Sequence, residues 1–61
     1  MKAAQIIKLI EAEGWYFVRQ RGSHRIFKHD GHPDIISVPE HGKEDLKPGL
    51  LNDILKTAGL K

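Results

Sequence analysis

Cysteine is absent from this 61-residue chain, which excludes disulfide staples and thiolate metal ligands and fits a reducing compartment. Aromatic residues are few: one Trp, one Tyr and two Phe. No apolar run reaches the length of a membrane span or of a signal-peptide core, so the sequence predicts a soluble, cytoplasmic protein with no membrane contact. Repeats, linkers and low-complexity segments are also missing, and residues 1–61 are expected to form a single domain. A chain this short buries only about 60% of its unfolded surface, which leaves few residues for an elaborate pocket. Acidic side chains are missing from one region in particular. Residues 15–29 carry Arg19, Arg21, Arg25 and Lys28 and no carboxylate, whereas the remainder sets six lysines against eight carboxylates. The net charge of +2 thus hides a concentrated basic segment, the electrostatic footprint of a nucleic-acid binder. A solvated basic face without a partner would show the same count.

That segment, Arg19 to His29 (RQRGSHRIFKH), organises the chain. Gly22 and Ser23 separate two runs of alternating apolar and polar residues, and Gly at the first central position is what a two-residue type II′ hairpin turn requires. The hairpin register then sets Arg21 opposite His24, Gln20 opposite Arg25, Arg19 opposite Ile26, Val18 opposite Phe27, Phe17 opposite Lys28 and Tyr16 opposite His29. Directly opposed residues share a face. One face collects Tyr16, Val18 and Phe27 as a core side. The other collects Arg19, Arg21, His24 and Lys28 around exposed Phe17 and Ile26, a phosphate-binding surface with one titratable group. Arg25 falls on the core side, with its stem packed and its head reaching water. A slip of one residue would exchange the faces.

Elsewhere, Ala3, Ile6, Ile7 and Ile10 follow helical spacing and Gly14 stands where a left-handed cap would close the helix, predicting a helix over 3–13. Strands are expected at 15–21 and 24–29. Asp30-Gly31-His32-Pro33 supplies a turn, and a third strand over 34–38 has Ile36 and Val38 on one face and Ile35 and Ser37 on the other. A polar loop over 39–47 holds His41-Gly42. From Pro48, suited to a first helical turn, Leu51, Ile54, Leu55 and Ala58 restore the helical period up to Gly59. The order α-β-β-β-α predicts an α+β two-layer sandwich, a three-stranded antiparallel sheet with two helices on the Val18, Phe27, Ile36 side. The opposite face stays open to a partner.

Gly14-Trp15, Val18-Arg19-Gln20-Arg21-Gly22-Ser23-His24, Phe27, Val38-Pro39 with His41-Gly42, and LNDILKTAGL over 51–60 together resemble the HicA family of toxin ribonucleases, the YcfA-like mRNA interferases of HicA/HicB toxin-antitoxin systems. The likeness runs over nearly the whole chain in the family's order. It implies a fold similar to the double-stranded RNA-binding domain, cleavage of messenger RNA, and neutralisation by a HicB-type antitoxin. The family's functional histidine maps onto His24. Gly49-Leu50-Leu51 departs from the Gly-Thr-Leu usual in the family, and no role is carried over to position 50.

The chemistry implied by this resemblance needs little. RNA carries its own nucleophile, the 2′-hydroxyl, so cleavage requires a base, an acid for the leaving 5′-oxygen and positive charge on the phosphate, with no metal or cofactor. Histidine suits proton transfer near neutrality, and a positioned one contributes about 10²–10⁴-fold. His24 is therefore the expected catalytic residue, with Arg19, Arg21, Lys28 and Ser23 on the RNA phosphate. His41 is a candidate second acid or base, alongside His29 and Lys28. Phe17 and Ile26 are expected to anchor the antitoxin. His29, His32 and His41 with Asp34 match no defined metal-ligand spacing. Trp15 and Phe17 either stack on bases or, for Trp15, pack against helix ends. The alternative function is a non-catalytic RNA-binding module. Lys47 is the single lysine beside Pro48, where duplex-binding domains carry a lysine cluster, and this disfavours simple duplex binding. A third reading is a small interaction protein whose open face meets only a partner.

Overall fold

The computed structural model describes residues 1–40 and 45–61. Helix α1 (Ala3–Ala12) leads into strands β1 (Tyr16–Arg21), β2 (His24–His29) and β3 (His32–Pro39), and helix α2 (Pro48–Thr57) closes the chain. The strands form one antiparallel sheet in the order β1-β2-β3. This is the α+β architecture that the alternating periods predict. Both helices end in the same way. Gly14 and Gly59 take φ of +96° and +79°; Trp15 N–H donates to Ile10 C=O at 3.1 Å and Leu60 N–H to Leu55 C=O at 2.9 Å, with Gly14 and Gly59 N–H on Glu11 and Lys56. These are Schellman closures. The first one turns Trp15 inward, onto the Ile10 that accepts its bond. Trp15 lies outside β1 and is 2% exposed, so it packs in the core, where it cannot stack on a base.

The core joins Ala3, Ile6 and Ile10 of α1 and Ile54 and Ala58 of the α2 end with Trp15, Phe27, Ile36, Val38 and Leu46. Leu50 packs against its edge. Ile36 and Val38 thus face the helices as their alternation requires, and Phe27 sits opposite Ile36. His29 pins the far end of the sheet to the helix. Its Nε2–H donates to Glu13 C=O at 2.8 Å, and its Nδ1 accepts from Gly31 N–H at 2.8 Å. The two partners assign the Nε2–H tautomer. A Cβ at Gly14 would stand 2.8 Å from that Nε2, so the glycine provides the close approach as well as the positive φ.

Between β1 and β2 the expected register holds near the turn and fails beyond it. Arg21↔His24, Gln20↔Arg25 and Arg19↔Ile26 pair as expected, but Phe17 pairs with Phe27 and Tyr16 with Lys28. Val18 is the extra residue of a β-bulge, which moves every residue before it by one place. The bulge exchanges Phe17 and Tyr16 between faces. Phe17 leaves the open face and meets Phe27 edge-on at 5.9 Å, while Tyr16 leaves the core side and donates its hydroxyl to Asp30 at 3.3 Å. Val18 itself is exposed and supplies no core. β3 also starts earlier than expected, at His32 in place of Asp34. The Asp30-Gly31 pair alone makes the second turn, and Pro33 is tolerated because β3 is an edge strand.

Candidate functional site

The first turn has the expected chemistry. Gly22 has φ +59° and Ser23 has negative φ, the pattern of a type II′ turn. It starts β2 at His24 and places the imidazole beside Arg21 on the open face of the sheet. Alternation along β2 adds Ile26 and Lys28 to this face, and pairing adds Arg19 from β1 and Ser37 from β3. Arg21, Gly22, His24, Ile26, Ile35 and Ser37 line an open cavity of about 620 Å³. Its lining combines apolar Ile26 and Ile35 with the Arg21 cation and the His24 imidazole. Ile26, on the central strand between Arg19 and Ser37, is 6% exposed and lies outside the main core cluster. Ile35 is 50% exposed.

His24 is itself exposed, and its Nδ1 lies 3.1 Å from Ser37 Oγ. Arg19, Arg21 and Lys28 are also exposed, and alternation sets them on the same face as His24. Arg25 points to the other side. Its Nε lies 2.7 Å from Glu40 Oε2 in an ion pair; the Nε–H is not aimed at an acceptor, and the hydrogen bond comes from Nη2 to Oε1 at 3.4 Å. This cation is neutralised locally. Three of the four basic residues in the hairpin therefore serve the open face. Near the far end, Asp30 raises the Tyr16 phenol above its ordinary value, first through its negative charge, then with burial and the hydrogen bond as smaller causes.

The structure thus gathers Arg21, His24 and Ile26 at one cavity, with Arg19 and Lys28 on the same face. Ser23 stays in the turn, where its carbonyl accepts Glu40 N–H at 2.7 Å, and is not in the cavity lining. Phe17 is half exposed on the opposite face, and Ile26 is covered where the sequence predicted an exposed anchor. His41 lies outside the described residues. Ser37 and Ile35 are the residues that sequence reasoning left out of the site. Their alternation with Ile36 and Val38 already assigned them to the open face. What it lacked was the β2–β3 register, which sets Ser37 beside Ile26, on the strand next to His24.

A three-stranded antiparallel sheet with two helices on one side and a basic, histidine-bearing hairpin on the other places this chain among small α+β proteins with a cationic open face. The model of the family described as "HicA toxin of bacterial toxin-antitoxin" matches residues 3–60. The chain belongs to the HicA toxin family, and that membership implies a cognate antitoxin. No curated protein matches the chain closely enough to serve as a relative. No helix among the described residues is long and apolar enough to cross a membrane.

Proposed function

We propose that this toxin is an endoribonuclease that cuts messenger RNA with His24 as its catalytic residue and is silenced by a HicB-type antitoxin. The observation that carries the reading is the cavity in which His24 stands beside Arg21, with Ile26, Ile35 and Ser37 completing the lining. A phosphodiester seated on Arg21, with Arg19 and Lys28 along the strand, meets positive charge where negative charge develops. Nε2 of His24 takes the proton of the 2′-hydroxyl, the 2′-oxygen bonds to phosphorus, and the P–O5′ bond breaks. The 5′-oxygen then takes a proton from water or from a second acid.

Lys28 keeps its place on the open face as a candidate for that acid. His29 does not, because both its nitrogens are spent on Glu13 and Gly31. The nucleophile belongs to the substrate, so the step calls on no metal ion or cofactor and DNA should remain intact. Ile35, half exposed at the same cavity, offers the base of an unpaired nucleotide an apolar surface.

The experiment compares RNA cleavage by wild type and His24→Ala. His24 is exposed, so its truncation should leave the fold intact; the variant should still bind RNA and should lose cleavage by at least about 10²-fold, the lower bound for a general acid–base group. Wild-type cleavage should persist in excess chelator and leave a 2′,3′-cyclic phosphate. Full cleavage by a folded His24→Ala protein free of contaminating nuclease would falsify the assignment. RNA binding without cleavage by wild type would favour the non-catalytic module.

A further inference from the structure

His24 begins β2 beside a two-residue turn, and a residue of the neighbouring strand meets its ring. Ser37 comes from β3, thirteen residues away in sequence, and brings its hydroxyl to 3.1 Å from His24 Nδ1. The contact crosses from β2 to the neighbouring strand. Ser37 is half-buried and lines the same cavity as His24, and its backbone position is fixed by pairing with Ile26. The ladder holds the backbone beneath this short side chain, and in the observed rotamer the hydroxyl meets the imidazole.

We propose that Ser37 is a positioning residue for His24: its hydroxyl holds Nδ1 and so assigns the proton exchange with RNA to Nε2. The inference rests on the ribonuclease reading above. Its chemistry follows from the hydroxyl's inventory, one donor and two acceptor lone pairs. A general base needs a lone pair on the nitrogen facing the substrate, so the other nitrogen must carry the proton. Nδ1–H then donates to Ser37 Oγ. When Nε2 has taken the 2′-hydroxyl proton, Nδ1–H still donates to the same oxygen, so the contact survives both protonation states without rearrangement. A carboxylate would hold the ring by charge as well; a serine fixes tautomer and orientation without adding negative charge to a face that must attract phosphate.

The test uses Ser37→Ala and Ser37→Thr in the full chain beside wild type and His24→Ala, with single-turnover cleavage, RNA affinity, and the imidazole nitrogen resonances of His24. Ser37→Ala should slow the chemical step by on the order of 10- to 100-fold, the scale of a misplaced reacting group, with RNA affinity within about twofold of wild type. Its His24 resonances should move from one tautomer to a mixture, which a merely structural change would not cause. Ser37→Thr keeps the hydroxyl on a residue suited to strands and should restore both the rate and the single tautomer. If Ser37→Ala cleaves like wild type while His24→Ala is inactive, the positioning role fails and the ribonuclease reading stands. If His24→Ala remains active, the underlying reading fails first. Loss of RNA affinity with an unchanged chemical step would make Ser37 a substrate contact and overturn the proposal.

Discussion

Tyr16 carries the consequence of the bulge into a measurable titration. It is the single tyrosine in the chain, so its phenolate absorbance can be followed without overlap from another tyrosine. Its hydroxyl donates to Asp30 at 3.3 Å, and the carboxylate charge is the main reason that the phenol resists ionisation. The midpoint should lie above the ordinary tyrosine value of about 10, and Asp30→Asn should return it towards that value. A folded-state value raised above the unfolded one means that the folded protein holds the proton more tightly. The contribution to stability is therefore complete below about pH 10 and is lost as pH rises through the folded-state midpoint. Around neutrality the phenol is protonated in both states, so the contribution is constant there and makes no pH dependence. Had the chain kept an unbroken register, Tyr16 would face the helices opposite His29, and Asp30→Asn would leave its titration unchanged.

At the level of elements, the sequence made legible whatever is encoded locally. The 3.6-residue period marks both helices, Gly14 and Gly59 mark their ends by the one backbone conformation that favours glycine, and Gly22-Ser23 marks a turn whose φ signs follow from residue type. Ile36 and Val38 announce the buried face of β3 by alternation. The bulge at Val18 has no such local mark. Val18 is β-branched and apolar, as good a core residue by pattern as any in β1, and nothing in YFVRQR says that two residues share one place in the ladder. The bulge appears only in the pairing, where Phe17 meets Phe27 while Arg19 meets Ile26, and the buried aromatic beside β1 is Trp15, just ahead of the strand. The correction predicts unequal costs. Phe27→Ala, at a site 1% exposed, should cost about 3–5 kcal/mol, whereas Val18→Ala, half exposed, should stay within about 0.5 kcal/mol. Denaturant melts of the two variants measure this, and a large loss for Val18→Ala would contradict the bulge.

For the whole molecule, the decisive property is that the sheet has one covered face and one open one, with the net positive charge gathered on the latter. If the proposed ribonuclease reading holds, RNA and an acidic antitoxin would be drawn to this same surface by the same field, and an antitoxin lying over the cavity would inhibit in competition with RNA. The apolar part of that contact must come from residues the face presents. Phe17, expected there from an unbroken register, stands on the other side of the sheet, and Ile35, half exposed at the cavity rim, takes its place. Arg19→Glu should then weaken RNA and antitoxin together, with a smaller loss at high salt, because an exposed charge acts mainly through long-range attraction that salt screens. Ile35→Asp should weaken the antitoxin by removing an apolar anchor. Phe17→Asp should leave antitoxin affinity close to wild type once its stability has been checked by thermal melting. Titrating the cognate antitoxin into each variant at two salt concentrations, with RNA cleavage as a parallel readout, distinguishes the geometries. If Phe17→Asp releases the antitoxin while Ile35→Asp does not, the partner grips the edge of β1 from the helical side, and inhibition proceeds by some route other than covering His24.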